Sequence, residues 1–384
     1  MTLTIVADEN MEGVVEAMGE LGTVRLVNGR ALQRADLREA DVLLVRSVTA
    51  VNALLLDSTP VSFVGTATSG FDHVDRDYLR RKGVSFAHAP GSNANSVVEY
   101  VLGAIAAVGD KLEQLFSGGR VGIIGYGNIG KLLAERLSGL GINYRVYDPW
   151  LEDGQLAHRA CLDEVLQCDV ISVHAELTRK HPWPSYHLLS AAELSRLDHS
   201  CLLINASRGE VIDTVALEEI LGEVLAPTVI LDVWEGEPVV RESLLSRVKF
   251  ASAHIAGYSL DGKLLATRML KDALLKHLGK PDRAVLSAVP GEVPTIKLSG
   301  SLAGAALLRA LLLHNYRLSE DDRLLREAVV GHSSTTAATN FDRLRKAYRV
   351  RREVCGADVD AAIEAPDRYI LKAMGCELAG GRGV

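Results

Sequence analysis

Short apolar runs separated by stretches of helical spacing dominate the first 90 residues. Leu3–Ala7, Val42–Val45, Ser62–Val64 and Val84–Ala87 are continuous enough for buried strands. Met11–Leu21 and Asp75–Lys82 place apolar residues at helical intervals instead. Such alternation predicts a parallel, doubly wound sheet with right-handed crossovers. Val97–Leu115 predicts one long amphipathic helix, and Ser117-Gly118-Gly119 marks a turn after it. Strand runs then return at Val121–Ile124, Tyr144–Tyr147, Val170–Val173, Leu202–Asn205 and Val229–Leu231, so a second doubly wound unit is expected. Asp261–Leu278 suits a helix. Gly279–Pro294, with Pro281, Pro290 and Pro294, reads as a linker. Beyond it, Leu302–Leu313 and Phe341–Arg352 are strongly helical and predict a third, smaller domain.

The 384 residues suit two or three domains at roughly 100–200 residues each. With 48% hydrophobic and 24% charged residues, disordered, collagenous and low-complexity classes are excluded. A net charge of −7 and sparse aromatics argue against nucleic acid as a partner. The local exception is Arg343, Arg345, Lys346, Arg349, Arg351 and Arg352. Residues 286–384 nonetheless hold 14 basic against 12 acidic residues, so a solvated or salt-bridged helix is expected there. Five cysteines without a C-x-x-C pair fit a reducing cytoplasm. The start, MTLTIVADEN, carries no basic region ahead of an apolar stretch, so no secretory signal is expected. No apolar run is long enough for a bilayer, so no membrane is expected as a partner. The histidines are scattered without metal-ligand spacing, and no metal is expected.

The sharpest local signal is Gly125-Tyr126-Gly127-Asn128-Ile129-Gly130, which follows a strand and opens a helix. In that context Gly125 permits a tight turn, Gly127 lets backbone approach a pyrophosphate, and Gly130 allows close helix–strand packing. Asp148 lies 18 residues past Gly130, at the end of the next strand. A carboxylate there binds a ribose and repels a 2′-phosphate, which favours NAD over NADP. Three segments then follow strands of this unit, where ligands of open α/β sheets bind: Asn205-Ala-Ser-Arg208-Gly209, Asp232-Val-Trp-Glu-Gly-Glu237-Pro238 and Ser252-Ala-His254-Ile-Ala-Gly257-Tyr258. Histidine suits a proton acceptor, an acid beside it would orient the ring, and arginine suits a carboxylate. Each residue alone has a bland reading: a structural histidine, a turn arginine, or a glutamate-proline helix start.

Together, Gly125–Gly130, Asp148, Arg208, Glu237 and His254 resemble the D-isomer-specific 2-hydroxyacid dehydrogenase family. The resemblance extends through Val6-Ala-Asp-Glu-Asn-Met, Val45-Arg-Ser-Val-Thr, Phe63–Asp75 and the late Asn340-Phe-Asp-Arg-Leu-Arg-Lys-Ala-Tyr. It implies two Rossmann-like domains, one of residues 1–94 and 258–285 for substrate and one of residues 95–257 for NAD. It also implies a smaller α+β dimerisation domain over 286–384, and hence a homodimer. Arg208, Glu237 and His254 would be catalytic. Gly125, Gly127, Asn128, Ile129, Gly130, Asp148, His174, Ala175, Ala206, Ser207, Arg208, Asp232 and Gly257 would hold the cofactor. A small phosphorylated hydroxy acid is the implied substrate, sitting between the first two domains. Arg208 and the Thr68-Ser69-Gly70 loop would take its carboxylate; Arg46, Ser47, Thr68 and Tyr258 are candidates for its phosphate. Thr66 is chemically equivalent to Thr68; the resemblance favours Thr68. A 3-phosphoglycerate dehydrogenase and a non-catalytic NAD(H)-sensing corepressor share these features and remain rival readings.

Overall fold

The computed structural model describes residues 2–152, 154–156, 158–280 and 293–380. Most of the expected linker Gly279–Pro294 lies outside the described residues. The chain divides into two compact units, Met1–Asn93 with Ser259–Glu292, and Ala94–Tyr258 with Val293–Val384.

The first unit carries a five-stranded parallel sheet: β1 (Leu3–Asp8), β2 (Gly22–Val27), β3 (Val42–Val45), β4 (Phe63–Thr66) and β5 (Ser85–His88). Their order is β2-β1-β3-β4-β5. β3 and β4 are buried along their whole length, as strands covered on both faces must be, and so they are continuously apolar. β2 escapes the sequence reading because it is an edge strand with alternating exposure and with Thr23 and Arg25 among its apolar residues. Helices begin where acids and hydroxyls cap them. Asp75 accepts from the Tyr78 amide to open Arg76–Lys82, and Ser259 accepts from the Gly262 amide to open Leu260–His277.

In the second unit, β6 (Arg120–Ile124), β7 (Asn143–Tyr147), β8 (Val170–Val173), β9 (Leu202–Asn205), β10 (Thr228–Leu231) and β11 (Phe250–Ala251) form a parallel sheet ordered β11-β10-β9-β8-β6-β7. The direction of winding reverses between β6 and β8, the usual place for a ligand crevice in such sheets. A small parallel sheet follows, β12 (Thr295–Lys297), β13 (Asp358–Asp360) and β14 (Glu377–Leu378), with helices packed into the same unit. The architecture is thus two doubly wound α/β sheets plus a small C-terminal α+β region.

Three expectations need correction. Val97–Leu115 is two helices, Ala94–Ala106 and Lys111–Phe116, separated at Gly109 with φ +49°. Arg309 bonds the Ala106 and Gly109 carbonyls at 2.9 and 3.1 Å, so the exposed backbone of the break is satisfied. That arginine belongs to the helix Gly304–Asn315, whose Leu307, Leu308, Leu311 and Leu312 are buried in the core of this same unit. The helix expected over Phe341–Arg352 instead ends at Lys346. Part of its basic run also turns inward rather than facing water. Arg351 is only 4% exposed, whereas Arg349, paired with Asp321 at 2.6 Å, keeps to the expected salt-bridged reading.

Candidate active site

The glycine turn joins β6 to the helix Asn128–Gly139. Gly125 has φ +94°, and a Cβ there would meet the Ala175 amide nitrogen at 2.5 Å. A Cβ on Gly130 would lie 2.1 Å from the Gly125 carbonyl oxygen. Gly127, by contrast, has open space where its Cβ would be, and it opens the helix without a side-chain cap. Asp148, past the end of β7, accepts from the Tyr126 amide at 2.8 Å and from the Trp150 amide at 3.0 Å. Backbone donors at an uncapped helix start, clear space in front of them and an acid at the neighbouring strand end together suit a dinucleotide.

His174 and Ala175 follow β8 across the crevice. The His174 ring is buried, its Nε2 pairs with Ser172 Oγ at 2.8 Å, and its Nδ1 has no partner. Burial pushes its pKa down to about 3, so the ring is neutral.

The segment after β9 is shaped by Asn205. Its Oδ1 accepts from the Ser207 amide and hydroxyl, each at 3.1 Å, and its Nδ2 donates to the Arg208 carbonyl at 3.0 Å. Arg208 Nη1 donates to the Ser207 carbonyl at 2.8 Å. A Cβ on Gly209 would lie 2.0 Å from the Trp234 carbonyl carbon, so only glycine lets this loop press against the segment that carries Glu237.

His254 follows β11 and adopts a left-handed backbone, φ +53°, which is uncommon for a residue with a Cβ. Its amide donates to the Asp232 carbonyl at 2.7 Å, and its Nδ1 lies 2.5 Å from Glu237 Oε1. Both side chains are a little over a quarter exposed. Burial alone would raise the Glu237 pKa, but the attraction and hydrogen bond of His254, with help from Arg345, lower it. Asp232 organises the loop that follows. Its Oδ1 accepts from Ser252 Oγ at 2.6 Å and the Ile255 amide at 2.8 Å; its Oδ2 accepts from the Ala256 amide at 2.9 Å.

Several supports of this loop come from residues the sequence reading did not select. Tyr100 bonds Ser252 Oγ at 2.8 Å, and Trp234 Nε1 donates to the Ser252 carbonyl at 3.0 Å. Tyr316 Oη donates to the Ala256 carbonyl at 3.0 Å, and Arg351 reaches the same oxygen at 3.3 Å. Nothing local in the sequence marks Tyr100 or Tyr316; the basic run drew attention to Arg351 without showing that it faces inward.

In the first unit, Arg46 and Ser47 follow β3, while Ala67 to Gly70 follow β4. Val45 and Thr66 are in register, so both segments emerge together at one sheet edge. Thr66 is fully buried and bonds Thr68 Oγ1 at 2.7 Å and His73 Nε2 at 2.9 Å. Thr68 is half-buried and donates to the Gly70 carbonyl at 2.7 Å. Of the two threonines, Thr68 is the accessible one.

Comparison with known proteins places the chain in a family. The profile of the D-isomer specific 2-hydroxyacid dehydrogenase NAD-binding domain matches residues 105–256. Residues 289–375 match a domain family of unknown function, DUF3410. The chain therefore belongs to the D-isomer specific 2-hydroxyacid dehydrogenase family and is an NAD-dependent oxidoreductase of hydroxy acids. Within that family it is similar to erythronate-4-phosphate dehydrogenase of Cellvibrio japonicus, at 43% identity over 94% of this chain and 96% of the relative. The erythronate-4-phosphate dehydrogenase of Azotobacter vinelandii is 40% identical over 98% of this chain and all of the relative. Among solved structures, the TT0316 protein of Thermus thermophilus superposes with TM-score 0.63 at 21% identity, covering 75% of this chain and 99% of its own. D-Lactate dehydrogenase of Aquifex aeolicus, solved with NAD and lactic acid, gives 0.58 at 22% identity, covering 72% and 95%. Among the described residues, no helix is long and apolar enough to cross a membrane.

Proposed function

We propose that this chain oxidises 4-phospho-D-erythronate at C2 to 2-oxo-3-hydroxy-4-phosphobutanoate, a step serving pyridoxal 5′-phosphate (vitamin B6) biosynthesis. The observation that carries the chemistry is the 2.5 Å contact between His254 Nδ1 and Glu237 Oε1. Bound NAD supplies the hydride acceptor. With Nδ1–H donated to Glu237, the imidazole keeps Nε2 as the basic nitrogen, and Nε2 takes the C2 hydroxyl proton. The Glu237 carboxylate then stabilises the imidazolium that results. Arg208 holds the substrate carboxylate and polarises the C2 oxygen.

The turn Gly125–Gly130 would bind the pyrophosphate, with Asp148 on the adenosine ribose. His174, Ala175, Ala206, Ser207, Arg208, Asp232 and Gly257 would line the nicotinamide half. A carboxylate has about four acceptor sites, so Asp232 can serve the ligand while keeping its three internal bonds. Thr68, Ser69 and Gly70 would bind the carboxylate, and Arg46, Ser47, Thr68 and Tyr258 the phosphate. A cytoplasmic homodimer, joined through the C-terminal region, completes the reading.

A turnover assay tests it. NADH should form from 4-phospho-D-erythronate and not from 3-phosphoglycerate. Preference for 3-phosphoglycerate would select the rival dehydrogenase, and NAD binding without turnover of either acid would select a nucleotide sensor. Sedimentation at several concentrations tests the dimer; a monomer throughout would remove it.

A further inference from the structure

The basic run at the end of the helix Ser334–Lys346 contains one guanidinium that the fold does not use. Arg349 is paired with Asp321, and Arg351 lies 3.9 Å above the Tyr316 ring and within 4.0 Å of Glu99. Arg345 differs. Among the described residues it makes no hydrogen bond and no ion pair, and its Nε is sealed from water without a partner. Its guanidinium carbon lies 5.7 Å from the centre of the Tyr258 ring, four residues beyond His254. The nearby charges it senses are those of Glu237, Asp232 and Asp342. Glu237 already gives Oε1 to His254, and Asp232 is bonded three times within its own loop. Neither forms an ion pair with Arg345.

Taking a cation partly out of water without a directly paired counter-ion is costly, and the two terminal nitrogens of the guanidinium keep four donors to offer. Such a group is stabilised when an anion arrives. The proposed substrate brings two anionic groups, and the fork of Arg208 answers one of them. We propose that Arg345 is a substrate-binding residue: its guanidinium, beside Tyr258, donates to the phosphate of the hydroxy acid and selects phosphorylated over unphosphorylated substrates. This rests on the functional reading above and deepens it, because it assigns the phosphate a donor from the C-terminal region of the second unit.

The test compares 4-phospho-D-erythronate with D-erythronate on the full-length enzyme and on R345M and R345K. NADH binding by fluorescence serves as the check that each variant is folded. Losing a charge-assisted hydrogen bond predicts that the ratio of kcat/KM for phosphorylated to unphosphorylated acid falls about 10–100-fold in R345M, mainly through KM. R345K, which keeps the charge, should recover part of the ratio. Inorganic phosphate, a competitive inhibitor of the wild type on this view, should lose potency against R345M in parallel. An unchanged ratio with both substrates slowed equally would overturn the assignment and make Arg345 a positioning residue acting through Glu237. A wild type that turns over neither acid would instead refute the functional reading itself, so the two failures are distinct.

Discussion

The two doubly wound sheets are variations on one plan, yet one is shaped for a dinucleotide and the other is not. In each, one strand is flanked by its immediate successor on one side and by the strand after that on the other: β1 by β2 and β3, β6 by β7 and β8. After β6 come glycines, open space and the helix Asn128–Gly139. β1 ends instead in Asp8, whose Oδ1 accepts from the Asn10 amide and whose Oδ2 is sealed without a partner. The helix that follows, Val14–Met18, spans only five residues. A carboxylate thus stands where the other sheet offers backbone donors. The lesson is that the topology provides a crevice, while the residues of one turn decide what can occupy it.

The largest test of this asymmetry is chemical. If turnover belongs to the second sheet, His254→Ala should lower kcat by about 10²–10⁴-fold with NADH affinity retained, read from steady-state rates and fluorescence titration. Next comes a matched pair in the two turns. Gly127→Val fills the open space and should weaken NAD binding about 10–100-fold without lowering Tm, through lost charge-assisted hydrogen bonds to the pyrophosphate. Asn10→Val, in the corresponding turn of the first sheet, should leave NAD affinity unchanged; a comparable loss there would break the comparison. Smaller again is Asp148→Ala, which should shift the NAD to NADP preference about tenfold towards NADP, measured as the ratio of kcat/KM values.

A separate effect concerns the support rather than the site. Burial, reinforced by Glu353, pushes the Glu99 carboxyl up to about 8. The folded state therefore holds a proton that the unfolded chain releases near the usual carboxylate pKa of about 4.3. Stability should fall as pH rises from there towards 8 and level off above it. Glu99→Gln should flatten that slope in a series of thermal melts, and an unaltered slope would show that another group sets it.

The difference between the sheets also explains what could be read from sequence. Gly125, Gly127, Gly130 and Asp148 fall within 24 residues, and their spacing alone carries the chemistry of the turn. Strands β8 and β9 are apolar from end to end because both faces are covered, so their limits matched the expected ones. β2 was invisible for the opposite reason, being half-exposed at an edge. The helix break at Gly109 was hidden because the apolar pattern runs on across it, and the carbonyls it frees are answered by Arg309, 200 residues away. The same holds for the histidine loop. His254 and Glu237 could be paired by chemistry, but Tyr100 and Tyr316 look like ordinary core aromatics until folding brings their hydroxyls to Ser252 and Ala256.

The Ala256 carbonyl, bonded by Tyr316 and Arg351, has a consequence for how the protein comes into being. A ribosome delivers the glycine turn at 125 long before residue 316, and residue 351 later still. The backbone two residues beyond the imidazole therefore gains its last side-chain props long after the imidazole itself has been made. A chain stopped before residue 316 would lack both side-chain props of the Ala256 carbonyl.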